Sequence, residues 1–299
     1  MDSKLILSLD LSKRLSNTGF RLAFPAWLMI ALIYIAPLIA LVCLSFTDYE
    51  MGAVSFNWIF FKNYFHLAND PIFKRSFFNT IQYIFILVPP SVVLGLLVAL
   101  LIHSRSKTRS TYEVIYFLPV TTTLIAMATV WQFLLHPKLG PIQKIFEFMG
   151  FDSPNFLGDP SWMIPTLAII GIWQLLGFNM IIYLSGLSNI SQDLYDAALV
   201  DGITNPVDRF LKITWPMLGP TTLFVIVTSS ITGFKIFDTV AVLTQGRNGS
   251  EVLLYDIYLE GFTYSKMGYA SALTLIFLII VLTLSAWQAM HMDKRVHYQ

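Results

Sequence analysis

Three carboxylates, Asp193, Asp196 and Asp201, fall close together on one polar segment between two apolar runs. Carboxylates so placed could hold Mg2+ against a diphosphate, the chemistry of an intramembrane Mg-dependent transferase. They could equally cap and charge a helix, since acidic groups are favoured in its first turn. A transferase also needs a second acidic cluster or a basic pair for the phosphates, and the sequence offers neither. A second set of residues is uncharged. Trp173, Gln174, Asn179 and Tyr183 lie in one apolar run; Thr228, Ser229, Ser230 and Thr232 lie in another. Hydroxyls, amides and an aromatic face can hold a hydroxylated solute, and Asn179 and Tyr183, at i and i+4, share a helix face. The same types also bond back to their own helix or join helices to one another. Cys43, the single cysteine, excludes a disulfide framework and a thiolate metal cluster. No catalytic or metal-ligating set stands out.

Stepping outward, the 299 residues are 56% hydrophobic and 12% charged. A soluble domain carries about 25% charged residues. The composition excludes a soluble enzyme and a disordered chain. Lys+Arg 19 against Asp+Glu 18 excludes a nucleic-acid binder. Six runs lack any Asp, Glu, Lys or Arg: Leu22–Thr47, Tyr83–Ile102, Val114–Leu135, Trp162–Leu187, Met217–Phe234 and Gly268–Met290. Each approaches the roughly 20 residues that cross a bilayer as helix. Nothing alternates as a barrel strand would. The expected fold is all-α and polytopic, with six transmembrane helices and a kink at Pro89-Pro90. The first run is too long for a cleaved leader and no small-residue cleavage site follows it. Intramembrane ionisable groups, which an ion-coupled carrier would need, are missing.

Six spans put both termini on one side. That side, with Lys4, Lys13, Arg14, Arg21 and the later even loops and tail, carries eleven of the basic residues against eight on the other. The bias favours cytoplasmic termini. Residues 1–21 and 291–299 then flank a membrane domain over 22–290. The opposite loops are long and aromatic (Phe56, Trp58, Phe60, Phe61, Tyr64), which suits an interfacial belt or a surface that receives a partner. Asn248-Gly249-Ser250 reads as a turn.

The segment 188–216 is more than a connector. Ser191 is placed to cap a helix over about Gln192–Val200, with Asp193 in its first turn. Gly202 stops it, and Pro206 can open a second helix. Phe210 and Ile213, at i and i+3, should share a face. The result is an elbow with small Ala197 and Ala198 at its tip, where another surface can come close.

This segment resembles the cytoplasmic signature of binding-protein-dependent ABC importer permeases: Glu-Ala-Ala, three residues, Gly, nine residues, Ile-x-Leu-Pro. Here it reads Asp196-Ala197-Ala198, three residues, Gly202, ten residues, Ile213-Thr214-Trp215-Pro216. Asp replaces Glu, Trp replaces Leu, and one residue is added, which the turn at Asn205-Pro206 is expected to absorb. The likeness extends along the chain. Pro37 and Ser45-Phe46-Thr47-Asp48-Tyr49 resemble the family's first-span ending, Asn63-Tyr64 followed by Ser76-Phe77-Phe78-Asn79-Thr80 its approach to the second span, and Phe117-Leu118-Pro119 its third. Gly177-Phe178-Asn179-Met180, Phe237-Asp238 with Leu243-Thr244, and Gly268-Tyr269-Ala270-Ser271-Ala272 are similar to the carbohydrate-uptake branch, the maltose and glycerol-3-phosphate permeases. Gly246-Arg247-Asn248 departs from that branch's Gly-Gly-Pro turn.

The resemblance implies a type I ABC importer permease with the MetI-like fold, in the bacterial cytoplasmic membrane. It implies a second permease, two cytoplasmic ATPase subunits and an extracytoplasmic solute-binding protein as partners. Asp196, Ala197, Ala198, Asp201, Gly202, Phe210, Ile213 and Pro216 would form the elbow that couples to an ATPase. Trp173, Gln174, Asn179, Tyr183, Thr228 and Ser229 are candidates for the substrate path. The chain has no phosphate-cradling Gly-x-x-x-x-Gly-Lys-Ser/Thr loop. It is therefore expected to be a transport subunit and no enzyme, without a cofactor of its own; ATP and Mg belong to the partner subunits. The runs hold no cation for a phosphate. That favours a neutral sugar, polyol or short oligosaccharide, with glycerol 3-phosphate or another small solute as the alternative.

Overall fold

The computed structural model describes Phe20 and residues 22–105 and 107–293. The expectations placed on residues 1–19, on Arg21 and on 294–299 lie outside these described residues. Twelve helical elements carry the argument: α1 (Leu22–Ser45), α2 (Lys62–Asn69), α3 (Pro71–His103), α4 (Arg109–Thr121), α5 (Leu124–Leu134), α6 (Pro141–Phe148), α7 (Pro160–Ser188), α8 (Gln192–Val200), α9 (Pro206–Met217), α10 (Gly219–Phe234), α11 (Leu253–Tyr258) and α12 (Met267–Asp293). Among the described residues no strand forms; an isolated bridge joins Thr47 and Trp58.

Four helices, α1, α3, α7 and α12, are long and apolar enough to cross a membrane. The count reaches six if the bent pairs α4–α5 and α9–α10 each make one span. The third apolar run, expected as one transmembrane helix, is broken into two. It turns through 95° between α4 and α5. Pro119 removes one ladder donor there. The Thr121 and Thr122 hydroxyls donate to the carbonyls of Leu118 (2.8 Å) and Pro119 (2.9 Å). Thr122 and Thr123 then take extended backbone, ψ 146° and 131°. By contrast α3 continues unbroken through Pro89 and Pro90, with the Ser91 hydroxyl on the Val88 carbonyl at 2.9 Å. It also starts well before its apolar run, because Asp70 caps Ile72 N–H and Pro71 occupies the first turn.

The chain divides into two compact units, Met1–Phe65 with Glu260–Leu275, and His66–Leu259 with Ile276–Gln299. In the larger unit α3 and α7 lie side by side, held close by small residues. A Cβ placed on Gly95 of α3 would come 2.7 Å from the Asn179 Cβ of α7, and Gly177 sits directly on the Tyr116 carbonyl of α4. Small residues at such crossings let backbones approach where no hydrophobic driving force exists. Around this contact Val92, Leu96, Met180, Tyr183 and Leu184 form one buried cluster with Leu218 and Val225. Tyr83, Leu87, Leu167 and Ile170 form another. Phe234 of α10 meets Phe277 of α12 edge-on at 6.3 Å, and Gln288 of α12 donates to Ser230 of α10 at 3.0 Å. Arg75 of α3 pairs with Glu251 at 3.2 Å.

In the smaller unit, α1 buries only 6% of its most apolar window. That surface demands hydrocarbon or another protein around it. The chain after α1 is pinned by polar groups. Asn63 Nδ2 donates to the carbonyls of Ser45 and Thr47, both at 2.9 Å, and the Tyr64 hydroxyl donates to Ser45 Oγ at 2.7 Å. Asp48 accepts from the Asn57 backbone and side chain, which hold its carboxyl below the usual value. Lys266 pairs with Glu260 at 3.2 Å. Phe56, Trp58, Phe60 and Phe61 stay exposed, as an aromatic belt or a receiving surface requires.

Two expectations test this packing. Gly95→Val should cost about 1–3 kcal/mol, the range for overpacking, and Gly95→Ala less. Thermal unfolding in detergent would read it; an unmoved midpoint for the valine variant would mean that α3 and α7 separate freely. Asp159, the cap of α7, accepts from Ser161 N–H at 2.9 Å and from its hydroxyl at 2.8 Å. These bonds hold its carboxyl below the ordinary 3.8. A lowered folded value means stabilisation present above 3.8 and lost as the pH falls through the folded value. The midpoints of wild type and Asp159→Ala should therefore differ at neutral pH and converge in acid.

Candidate functional site

The elbow between α7 and α10 is built from local capping chemistry. Ser191 accepts from Asp193 N–H at 3.3 Å and opens α8. Its far end closes in a Schellman motif. Ile203 N–H reaches the Ala198 carbonyl at 2.8 Å, and Gly202 N–H reaches that of Leu199 at 3.1 Å. Gly202 sits at φ +82°, with nothing within 4 Å of where a Cβ would stand. Its constraint is the backbone conformation, since bulk has room. Asn205 caps α9 through Val207 N–H at 2.9 Å, a role that its place before Pro206 could have suggested. The two helices are tied by Tyr195, whose hydroxyl meets Thr214 Oγ1 at 3.1 Å. The Arg209 guanidinium lies over the Tyr195 ring at 5.7 Å.

The sequence-derived elbow residues separate into different settings. Asp196, Ala197, Asp201, Gly202 and Pro216 are exposed, Phe210 and Ile213 are half-buried, and Ala198 is buried. The two alanines therefore do not share the tip; successive helix residues point about 100° apart, and Ala198 turns inward. Leu194, Ala197, Ala198, Asp201, Ile213 and Pro216 line one shallow hollow of about 300 Å3. Phe210 lines another, with Tyr195 and Leu187. So Phe210 and Ile213 do not share a face as an ideal α-helix would give. The reason is a π turn over Phe210–Thr214, which widens the helix and takes in one extra residue. The turn at Asn205-Pro206 keeps ordinary capping geometry. Beyond it α9 and α10 meet at 66°, at Leu218, which is fully buried.

None of the three carboxylates forms a cation site. Asp193 accepts from the Ser191 hydroxyl at 3.2 Å and Asp196 from Gln192 at 3.3 Å. Among the described residues no group of three or more His, Cys, Asp or Glu is placed to hold a metal ion.

The substrate-path candidates are also divided. Asn179 is fully buried and accepts from Ser229 Oγ at 3.2 Å, joining α7 to α10. Tyr183, one turn on, is fully buried too. Thr228 donates to its own helix at the Phe224 carbonyl, 2.7 Å. Trp173 is half-buried against Trp131, ring centroids 5.7 Å apart. Gln174 faces a small hollow of about 90 Å3 with mixed lining, in which Leu87, Leu124 and Phe237 stand beside Tyr83, Thr232, Lys235, Asp238 and Thr239. Lys235 and Asp238, at the end of the fifth apolar run, are lining residues that the path candidates omitted. Their opposite charges at i and i+3 were the available signal.

Apolar helices long enough to cross a membrane, joined by an exposed, capped elbow, are the architecture of a polytopic membrane protein. The chain belongs to the family of binding-protein-dependent transport system inner membrane components, whose pattern matches residues 91–298. A probable ABC transporter permease of Pyrococcus horikoshii is 31% identical over 263 residues, 86% of this chain and 89% of that one. The arabinooligosaccharides transport system permease protein AraP of Bacillus subtilis is 29% identical over 87% of this chain and 84% of its own. Among solved structures, a chain of a bacterial alginate ABC transporter in complex with an alginate pentasaccharide-bound periplasmic protein superposes with TM-score 0.82. It is 22% identical and covers 94% of this chain and 96% of its own. The fold is thus that of ABC importer permeases, and the chain is a transport component.

Because Gly202 is constrained by φ and has open space, Gly202→Asn should leave α8 close to intact. Gly202→Val should cost about 1–2 kcal/mol, the penalty for a left-handed non-glycine residue. Amide exchange at Ile203 would distinguish them, and equal loss of protection in both would place the constraint in bulk instead.

Proposed function

We propose that this chain is one of two permease subunits in an ATP-driven importer that brings a sugar or related polyol across the cytoplasmic membrane of a bacterium. The observation that carries the reading is the elbow: a capped, exposed helix between two apolar spans, inside the region that matches the family. In this reading 22–290 is the membrane domain and 188–216 lies on the cytoplasmic side with both termini, as the basic residues favour. The elbow seats on one of two ATPase subunits, which bind ATP and Mg. An extracytoplasmic binding protein delivers the solute. Closure of the ATPases pushes on α8 and α9, and the rigid Schellman stop and the Tyr195–Thr214 bond pass that push to α7 and α10.

The carbohydrate assignment has two supports. AraP is named for arabinooligosaccharides. The small hollow beside Gln174 is lined by one cation, Lys235, and one carboxylate, Asp238, so it offers no net charge to a phosphate and several hydroxyl partners to a neutral sugar. Trp173, Gln174 and Thr228 are the path candidates that the packing leaves half-buried. Asn179, Tyr183 and Ser229 hold the helices that frame them.

Asp196→Lys should lower recovery of the ATPase subunits with the tagged chain in mild detergent, while the second permease still comes along. Unchanged recovery removes Asp196 from the contact. Gly202→Val in the reconstituted complex should leave ATP hydrolysis running while sugar uptake into proteoliposomes falls. Normal uptake with that variant would remove the elbow from coupling.

A further inference from the structure

We propose that the hollow between the ends of α3 and α7 and the elbow binds the headgroup of an anionic phospholipid from the leaflet on the elbow's side of the membrane. The hollow measures about 520 Å3, within the range of small-molecule sites. One wall is apolar, made by Leu100 and Leu187 near the ends of two helices long enough to span. The elbow contributes Arg209 and Tyr195, and His103 lies one turn beyond Leu100 on α3.

Arg209 is the single formally charged residue of the lining, and no carboxylate lines it. Among the described residues Arg209 makes no ion pair. Its guanidinium lies over the Tyr195 ring at 5.7 Å, and that ring is fixed by the Tyr195–Thr214 bond. A guanidinium stacked by its face keeps its edge donors, and that fork matches the oxygens of a phosphate. Gln192, which lines the hollow, donates to Asp196 at 3.3 Å.

A soluble anion would use the cation and leave the apolar wall wet. A phospholipid uses both, with its phosphate on Arg209 and the first carbons of its chains on Leu100 and Leu187. Basic pockets beside span ends on the polar side of a leaflet take anionic headgroups in this manner. The assignment does not depend on which side of the membrane the elbow faces, nor on the transported solute.

The test is native mass spectrometry of the purified full chain from micelles doped with phosphatidylglycerol or phosphatidylcholine. Wild type should retain phosphatidylglycerol, and Arg209→Gln should retain about tenfold less, the scale of a lost charge-assisted bond. Arg209→Lys should fall between them. Val207 lines the hollow and is 61% exposed, so Val207→Asp supplies a second variant that folding should tolerate; its added carboxylate should also reduce retention. Equal retention by Arg209→Gln with an unmoved thermal midpoint overturns the proposal. So does phosphatidylcholine held as well as phosphatidylglycerol, or displacement by inorganic phosphate, which would make the hollow a soluble-anion site. Should Arg209→Gln fail to fold, undiminished retention by Val207→Asp overturns it.

Discussion

Hydrocarbon offers no hydrogen bonds, so each backbone N–H and C=O inside the membrane must find a partner in its own segment. Nearly every choice in this chain follows from that. The long elements are helices, and they meet through glycine, since close backbone approach is what remains when burial from water no longer drives association. Gly95 against Asn179 and Gly177 against the Tyr116 carbonyl are examples in the larger unit. The polar side chains within the spans serve the same constraint. Ser91, Thr121, Thr122 and Thr228 all give their hydroxyls to carbonyls of their own helix, and Ser229 gives its own to Asn179.

The elbow obeys different rules because water surrounds it. Its stability is local: a serine cap, an asparagine cap, a glycine stop and one tyrosine–threonine bond. None of these depends on what lies beyond the helix. An element so self-contained can expose Val200, 89% open, and Val207, 61% open, without losing its shape. Exposure of that kind is a cost for an isolated chain and an asset for a subunit that meets another. A separate hollow opens around Arg209, between the elbow and the ends of α3 and α7.

Capping is written in neighbouring residues, and so the elbow was legible in the sequence. Ser191, the bounds of α8, Gly202 and Pro206 all take the places that their types dictate. Span location was legible too, because composition alone sets it. Direction within a span was not. The run Val114–Leu135 is uniformly apolar, and hydropathy cannot see the 95° turn that Pro119 and three threonines make in it. Polar residue types in the spans were readable, but their partners were not: Ser229 finds Asn179 across 50 positions. Nor could an α-helical periodicity place Phe210 and Ile213, since it assumes a pitch that this helix abandons for one turn.

That widened turn has company. Among the described residues, wide turns also occur at Ala31–Ile35, Val240–Thr244 and Leu259–Thr263. A wide turn holds one residue more than its helix needs, and it can pass along the chain like a crease moved through cloth. Each step exchanges one long backbone bond for a normal one and leaves the rest of the ladder intact. Only the residues that the crease has passed are then rotated, by about a third of a turn, and shifted by about 1.5 Å, while the segments on either side keep their relation. At Phe210–Thr214 such a step would re-aim individual side chains between the elbow and α10 with no helix melted.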